Sequence, residues 1–192
     1  MRAVAKIVLL AVLFLSCTGC TSDQENVWKE LTTKSKMLHQ QGRYGEAAKV
    51  AEQALTVAEK IFGPNHPHVA TALNNLAELY AAQGKYPAAM SLYKRALRIW
   101  EDALGPDHPD VAKALNNLAA LYQAQGRYSE AEPLYERSLR IREEALGPIH
   151  PDVVTVCENM AELYRQIGEE GKAKKFEERA RRIRSTQGRV GH

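Results

Sequence analysis

An eight-residue segment recurs at a fixed interval of 42 residues, and this period constrains the fold more than any other feature of the chain. Residues 73–80 read LNNLAELY, residues 115–122 read LNNLAALY, and residues 157–164 read CENMAELY. A period of this size is typical of one supersecondary unit that is copied and stacked, because each copy covers the apolar face that its neighbour cannot bury alone. Stacked units form a long surface rather than an enclosed pocket, so the period favours binding over catalysis.

Each copy contains two segments in which apolar residues are spaced by three and four positions, and this spacing predicts a pair of α-helices. In the second copy we expect the first helix from about Pro67 to Gln83 and the second from near Pro87 to the Gly105-Pro106 pair, because proline starts helices and glycine ends them. The sequence therefore predicts an all-α fold, an α-solenoid of about four antiparallel helix pairs. The side chains expected to be buried in the second copy are Leu73, Leu76, Ala77, Leu79, Tyr80, Ala88, Ala89, Leu92, Tyr93, Ala96, Leu97 and Trp100.

The chain divides into an N-terminal segment, four repeats and a tail. Repeats 1 and 4 depart from the pattern; in repeat 4, Glu177 and Arg181 stand where Tyr93 and Leu97 stand in repeat 2. Terminal repeats expose one face to water, so polar replacements of this kind are expected of caps. The predicted bounds are 1–19 for a signal peptide, 20–27 for a tether, 28–62 for repeat 1, 63–104 for repeat 2, 105–146 for repeat 3, 147–184 for repeat 4 and 185–192 for the tail.

The first 19 residues have the pattern of an export signal. Arg2 and Lys6 precede an apolar run over 7–15, which is shorter than the roughly 20 residues that cross a bilayer. Gly19-Cys20 resembles the processing site of bacterial lipoproteins, which implies lipidation of Cys20. Residue 21, which follows this cysteine, is Thr and not Asp. By resemblance to Gram-negative sorting rules, this implies that the protein is anchored in the bacterial cell envelope at the periplasmic face of the outer membrane. Cys17 stands where that family usually has Leu, and an ordinary cleaved signal or a short N-terminal anchor is the alternative.

Charge and cysteine content exclude two other classes of protein. The formal net charge is +3, and it falls to +1 if residues 1–19 are removed with Arg2 and Lys6. A nearly neutral exported chain is not expected to bind nucleic acid. Lipidation of Cys20 and loss of Cys17 would leave Cys157 alone, so we expect no intramolecular disulfide. Cys157 replaces Leu115 at a core position and is expected to be a small buried apolar residue.

The spacing within each copy resembles the tetratricopeptide repeat. The usual unit has about 34 residues; the longer period here, with its GP-x-HP loop, is similar to the repeats of kinesin light chains and their bacterial relatives. The resemblance covers about 30–184 and implies a concave face, lined by the first helix of each pair, that binds peptides or partner proteins. The residues that carry it in the second copy are Leu73, Leu76, Ala77, Tyr80, Gly84, Tyr86, Ala89, Tyr93 and Ala96.

The polar side of each first helix supplies the candidate binding residues. Asn75, Asn117 and Asn159 form one row at the repeat period, and a carboxamide can pair with the backbone of any extended peptide. The alternative is that these side chains bond to the neighbouring repeat and hold the superhelix together. The residues predicted to line the groove are Thr71, Asn74, Asn75, Glu78, Lys113, Asn116, Asn117, Asn159 and Glu162.

The carboxylate clamp of chaperone-binding tetratricopeptide domains gives a second comparison. Lys36, Asn75 and Lys113 match three of its five positions, whereas Thr32 and Asn117 stand where that clamp has cations. Charge-assisted hydrogen bonds supply most of such a clamp's affinity. We therefore expect capture of a C-terminal carboxylate to be weak.

The recurring loop histidines His66, His108 and His150 do not predict a metal site. They lie one repeat apart, whereas the ligands of one zinc ion must lie about 2 Å from it. We expect each to cap the next helix or pack on the preceding turn, and we predict no metal or cofactor. The cations near the C-terminus are expected to be solvated on a last helical turn, with contact to anionic lipid or a polyanion as the alternative. They are Arg179, Arg181, Arg182, Arg184 and Arg189.

These features together predict a non-catalytic scaffold that binds a protein or peptide in its concave groove and is anchored to the membrane by lipid. A structural module that assembles with weak self-association is the alternative, since a solenoid with an uncapped end can stack on another copy. An enzyme is least expected, because the chain has no phosphate-binding glycine loop, paired-carboxylate cleft or Ser/His/Asp arrangement.

Overall fold

The computed structural model describes the backbone of residues 22–190 and the side chains of residues 22–187. This part of the chain forms eight helices and no strand, which confirms the predicted all-α fold. The helices are α1 over 22–40, α2 Tyr44–Phe62, α3 Pro67–Ala82, α4 Tyr86–Leu104, α5 Pro109–Ala124, α6 Tyr128–Leu146, α7 Pro151–Gln166 and α8 Glu170–Val190.

The helices stack as hairpins. Helices α2 to α7 each pack on the next helix along the chain, and α3 also contacts α5 while α5 contacts α7. The odd-numbered helices therefore lie side by side along one surface, which we call the inner face. None of the helices in the described range is long and apolar enough to cross a membrane.

The loop histidines begin three of the odd-numbered helices. The Nδ1 atoms of His66, His108 and His150 each accept a hydrogen bond, at 3.2 Å, from the backbone N–H two residues further on. A proline follows each histidine at the first helical position, where a missing N–H has no cost. The preceding helix ends at a glycine with φ between 86° and 90°, a conformation that disfavours other residues. Of the two roles expected for these histidines, capping of the next helix is therefore the one observed.

Two terminal segments are helical where the sequence suggested a tether and a tail. Helix α1 already includes residues 22–27, because Trp28 anchors it through ring contacts with Phe62 at 5.3 Å and His68 at 4.9 Å. Helix α8 continues to Val190, and Gln187 donates a hydrogen bond to the backbone oxygen of Ile149 at 2.9 Å. Both predicted bounds were set by polar composition, which does not exclude a helix that packs on its neighbour. Cys20 lies outside the described residues.

The core lies between the helices of each pair and between successive pairs. Most of the predicted stripe is buried, with Trp100 only 1% exposed, while Tyr80, Leu92 and Leu97 are half-buried. The prediction for Ala88 is wrong, because this residue faces solvent in the first turn of α4. Ile99 is buried although it was not predicted. Cys157 is fully buried as expected, and burial raises the pKa of its thiol.

A ladder of ion pairs connects the even-numbered helices. Arg95 of α4 pairs with Glu59 of α2 at 2.7 Å, and Arg137 of α6 pairs with Glu101 of α4 at the same distance. Arg179 of α8 pairs with Glu143 of α6 in the third position of this series. The ladder thus accounts for Arg179, one of the C-terminal cations.

Arg184 is also paired, with Glu158 of α7, whereas Arg181 and Arg182 are exposed. The side chain of Arg189 lies outside the described residues.

Candidate functional site

A cleft of about 410 Å³ opens on the inner face between α1, α3 and α5. Its size falls within the range of about 300–1,000 Å³ that is typical of ligand sites. Ala51, Ala54 and Leu79 form an apolar base, and polar side chains surround it. We call this the α1–α3–α5 cleft. Its polar lining consists of Thr32, Ser35, Lys36, His39, Thr71, Asn75, Glu78 and Lys113.

The cleft brings together four of the nine predicted groove residues: Thr71, Asn75, Glu78 and Lys113. Lys36 and Thr32, which entered through the comparison with the carboxylate clamp, lie in the same cleft. The other five lie elsewhere. They are Asn74, Asn116, Asn117, Asn159 and Glu162.

The prediction that Asn74 and Asn116 line the groove is wrong. Asn74 is fully buried and Asn116 is only 7% exposed. Asn117 donates a hydrogen bond from Nδ2 to Asn74 Oδ1 at 3.1 Å, and Asn159 donates to Asn116 Oδ1 at 3.0 Å. The first asparagine of each pair therefore faces the next odd-numbered helix instead of solvent. We call these contacts the asparagine ladder; they match the alternative in which the row holds successive repeats together.

Glu78 joins the asparagine ladder at its N-terminal end. Its Oε1 accepts from Asn74 Nδ2 at 2.7 Å and from Asn117 Nδ2 at 3.0 Å. These two amide donors orient the carboxylate and offset part of its negative charge within the cleft. The underlying phenol of Tyr93 stays neutral, because burial and the nearby Glu78 carboxylate raise its pKa.

Asn75 differs from the rest of its row because the ladder stops at repeat 2. The residue of repeat 1 that corresponds to Asn74 is Thr32, and its Oγ1 donates to the Trp28 backbone oxygen at 2.8 Å. Repeat 1 therefore offers no carboxamide to Asn75. Among the described residues, the Asn75 side chain has no hydrogen-bond partner, and its donors and acceptor are open to the cleft.

Charge is distributed unevenly along the inner face. Lys36 and Lys113 line the α1–α3–α5 cleft and form no ion pair with any described residue. At the other end of the face, the exposed Glu162 pairs with Arg165, and Glu158 pairs with Arg184. The cleft thus keeps two unpaired positive charges, while the acidic side chains of α7 are neutralised by neighbours.

Stacked helix hairpins with a polar cleft on one face define an α-solenoid of the kind that presents a binding surface. The sequence model of the tetratricopeptide repeat matches residues 31–102, 83–144 and 110–186. The chain therefore belongs to the tetratricopeptide-repeat family, whose members are generally non-catalytic scaffolds that bind protein partners. No curated protein matches it by sequence.

Solved structures show the same fold. BtubC (BKLC) from P. vanneervenii has 28% identity and a TM-score of 0.76, and the match covers 86% of this chain and 66% of that protein. A kinesin-light-chain-like protein with nearly identical TPR-like repeats from Podosopora anserina has 25% identity and a TM-score of 0.71, and the match covers 82% of this chain and 75% of that protein. Aspartyl phosphate phosphatase F from Bacillus subtilis has 16% identity, a TM-score of 0.75, and 86% and 42% covered, so it is similar in fold alone. The predicted resemblance to kinesin-light-chain-like repeats is confirmed.

Proposed function

We propose that the chain is a non-catalytic scaffold that binds an extended peptide or protein segment in the α1–α3–α5 cleft. The observation that carries this proposal is the set of unpaired polar groups around an apolar base. Lys36, Asn75 and Lys113 have no partner among the described residues, yet each lines the same cleft. Polar groups that converge on an apolar cavity without partners of their own are typical of a ligand site.

The chemistry of the lining favours a peptide that carries carboxylates. The Asn75 carboxamide can donate to and accept from a peptide backbone, while two ammonium groups attract acidic side chains. Glu78 opposes such a ligand less than a free carboxylate would, since two amide donors already hold it. Thr32 provides no cation at the edge of the cleft, so we expect affinity in about the micromolar range.

A binding titration tests this proposal. Calorimetry would compare two extended peptides of equal length, one rich in Asp and one rich in Lys, against the Cys20→Ser protein. We expect the acidic peptide to bind, and we expect the double variant Lys36→Ala/Lys113→Ala to lower its affinity by at least about tenfold. Lys49→Ala/Lys174→Ala is the matched control, because it removes the same charge from exposed positions outside the cleft. Equal affinity for the two double variants would contradict the assignment of the cleft.

We further propose that Cys20 carries lipid and holds the scaffold at the periplasmic face of the outer membrane. The support is the sequence Gly19-Cys20 after an apolar run over 7–15. Several acyl chains on one residue would give stable anchoring, which a single chain does not. Incorporation of labelled palmitate into the protein, and its loss in Cys20→Ser, is the expected result. An unlabelled wild-type protein would contradict the anchor without affecting the cleft.

A further inference from the structure

The start of α3 differs chemically from the starts of α5 and α7. A histidine caps each of these helices, and the residue that donates the capping N–H is Asp110 in α5 and Asp152 in α7. In α3 that residue is a second histidine, His68. Repeat 2 therefore has two imidazoles where the later repeats have an imidazole and a carboxylate.

The two imidazoles belong to a cluster of four rings that joins repeat 1 to α3. The centroids of His66 and His68 lie 4.9 Å apart, and they lie 5.0 and 4.8 Å from the ring of Phe62 in α2. Trp28 of α1 lies 4.9 Å from His68 and 5.3 Å from Phe62. We call these four residues the ring cluster. It connects α1 and α2 to the first turn of α3 through contacts between aromatic rings.

Protonation acts against this cluster in three ways. His66 Nδ1 accepts the capping hydrogen bond, so a proton on that atom removes the cap. The resulting cation lies at a helix N-terminus, where the helix dipole disfavours positive charge. A second cation on His68 would face it across 4.9 Å. His68 remains exposed, and partial desolvation, followed by the charge of His66, lowers its pKa, so the folded state already resists this second proton.

The same protonation is compensated in α5. The Nδ1 atom of His108 lies 3.6 Å from the Asp110 carboxylate, so a protonated His108 gains an ion pair as it loses its role as acceptor. The effect of acid should therefore fall on α3 rather than on all the capped helices.

The remaining charges around the ring cluster do not reverse this effect. Glu25 of α1 favours a charged His68 and Lys29 of α1 opposes it, so their influences are of opposite sign. Glu59 of α2 is already paired with Arg95 of α4, which also donates to the Pro64 backbone oxygen in the loop before His66. The face of the Phe62 ring attracts a cation only weakly at an exposed site.

We propose that the ring cluster is an acid-sensitive contact that loosens repeat 1 from α3 as the pH falls below about 6.5, the ordinary titration range of histidine. The stability supplied by neutral His68 is fully present above that range. It is lost as the pH falls through the lowered pKa that His68 has in the folded state. Helix α1 carries Lys36 and α3 carries Asn75, so loosening separates two sides of the α1–α3–α5 cleft. The consequence for ligand affinity rests on the proposed function, whereas the loosening does not.

Hydrogen exchange tests the loosening directly. Protection factors, corrected for intrinsic rates, would be measured by NMR at about pH 7.5 and about pH 5.5 for the first turn of α3 and, as an internal reference, the first turn of α5. We expect protection at α3 to fall about fivefold in acid, as for the loss of a typical helix cap, and protection at α5 to fall much less. Equal losses at the two helices, or no loss at α3, would overturn the proposal.

Two variants assign the effect to the histidines. His68→Asp gives α3 the carboxylate that α5 has, and His66→Asn keeps a good capping residue that does not titrate in this range. Each of these two variants should abolish the acid-dependent loss of hydrogen-exchange protection at α3. His108→Asn is the matched control and should leave that loss unchanged. Persistence of the loss in both His66→Asn and His68→Asp would overturn the proposal.

A parallel titration with the acidic peptide separates the two levels of inference. The background for this arm is His39→Gln, because His39 lines the cleft and its replacement leaves no histidine among the lining residues. A fall in affinity that His68→Asp abolishes supports the link to binding. If no peptide binds at either pH while the α3 loss depends on His68, the proposed function fails and the acid-sensitive contact stands.

Discussion

Replacing Asn117 with alanine tests whether the asparagine ladder holds the repeats together. The Asn117 carboxamide spans α5 and α3 by donating to Asn74 at 3.1 Å and to Glu78 at 3.0 Å. Its removal leaves Asn74 Oδ1 without this donor in a residue that is fully buried. An unsatisfied buried polar group costs about 1–3 kcal/mol, so we expect Asn117→Ala to lower the free energy of unfolding by about 1.5–3 kcal/mol.

Urea unfolding with linear extrapolation measures this loss, and thermal unfolding should show it as a fall in Tm of about 3–12 °C for a chain of this size. Asn75→Ala is the matched control, because it makes the same change in helix propensity one repeat earlier without breaking a hydrogen bond among the described residues. We expect the control to stay within about 0.5 kcal/mol of wild type.

A double variant checks that the loss comes from the pair itself. Asn74→Ala/Asn117→Ala removes both partners of the contact, so its cost should be smaller than the sum of the two single costs. Equal destabilisation by Asn117→Ala and Asn75→Ala, or additive losses in the double variant, would refute the reasoning that the ladder supplies this stability.

Three further predictions address other parts of the fold. Arg137→Ala should lower the free energy of unfolding by about 0.5–1.5 kcal/mol, because it breaks the ion pair with Glu101 and a hydrogen bond to the Pro106 oxygen. Arg140 is more exposed, so Arg140→Ala should lower it by less than about 0.5 kcal/mol. Urea unfolding at low and high salt measures both losses. The Cys157 thiol should react with a thiol reagent only after unfolding, even at about pH 8.5, because burial raises its pKa and blocks access; fast reaction of the folded protein would contradict this. Thr32→Asn should extend the asparagine ladder to Asn75 and raise the free energy of unfolding by about 0.5–1.5 kcal/mol. It should also weaken the binding of the acidic peptide, and unchanged binding would show that Asn75 does not contact the ligand.

The architecture was predictable because its signals are local. Proline and glycine positions gave helix ends close to those observed, with α3 ending at Ala82 and α4 beginning at Tyr86. The sequence left two roles open for the loop histidines, capping the next helix or packing on the preceding turn, and the structure shows that they cap. The ion-pair ladder could also have been predicted from the sequence. Arg95 and Arg137 are 42 residues apart, as are Glu59 and Glu101, so both partners recur at the repeat period.

The orientation of adjacent asparagines was not predictable in the same way. Asn74 and Asn75 differ by about 100° around the helix, so a pattern of apolar residues identifies their common side but not which of them faces the next helix. That choice depends on how the odd-numbered helices pack on one another. The buried position of Asn74 and the open position of Asn75 therefore emerge only from the stacked structure.

The location of the cleft follows from the irregularity of repeat 1. Where two regular copies meet, the asparagines of one satisfy those of the next, and few polar groups remain for a ligand. Repeat 1 has Thr32 where repeat 2 has Asn74, so it leaves Asn75 unpaired, and it has Lys36 where repeat 2 has Glu78, which adds a cation to the cleft. A repeat array of identical copies would form this ladder without interruption and would have no such opening. The departure that makes repeat 1 a cap is thus the same departure that creates the candidate binding site.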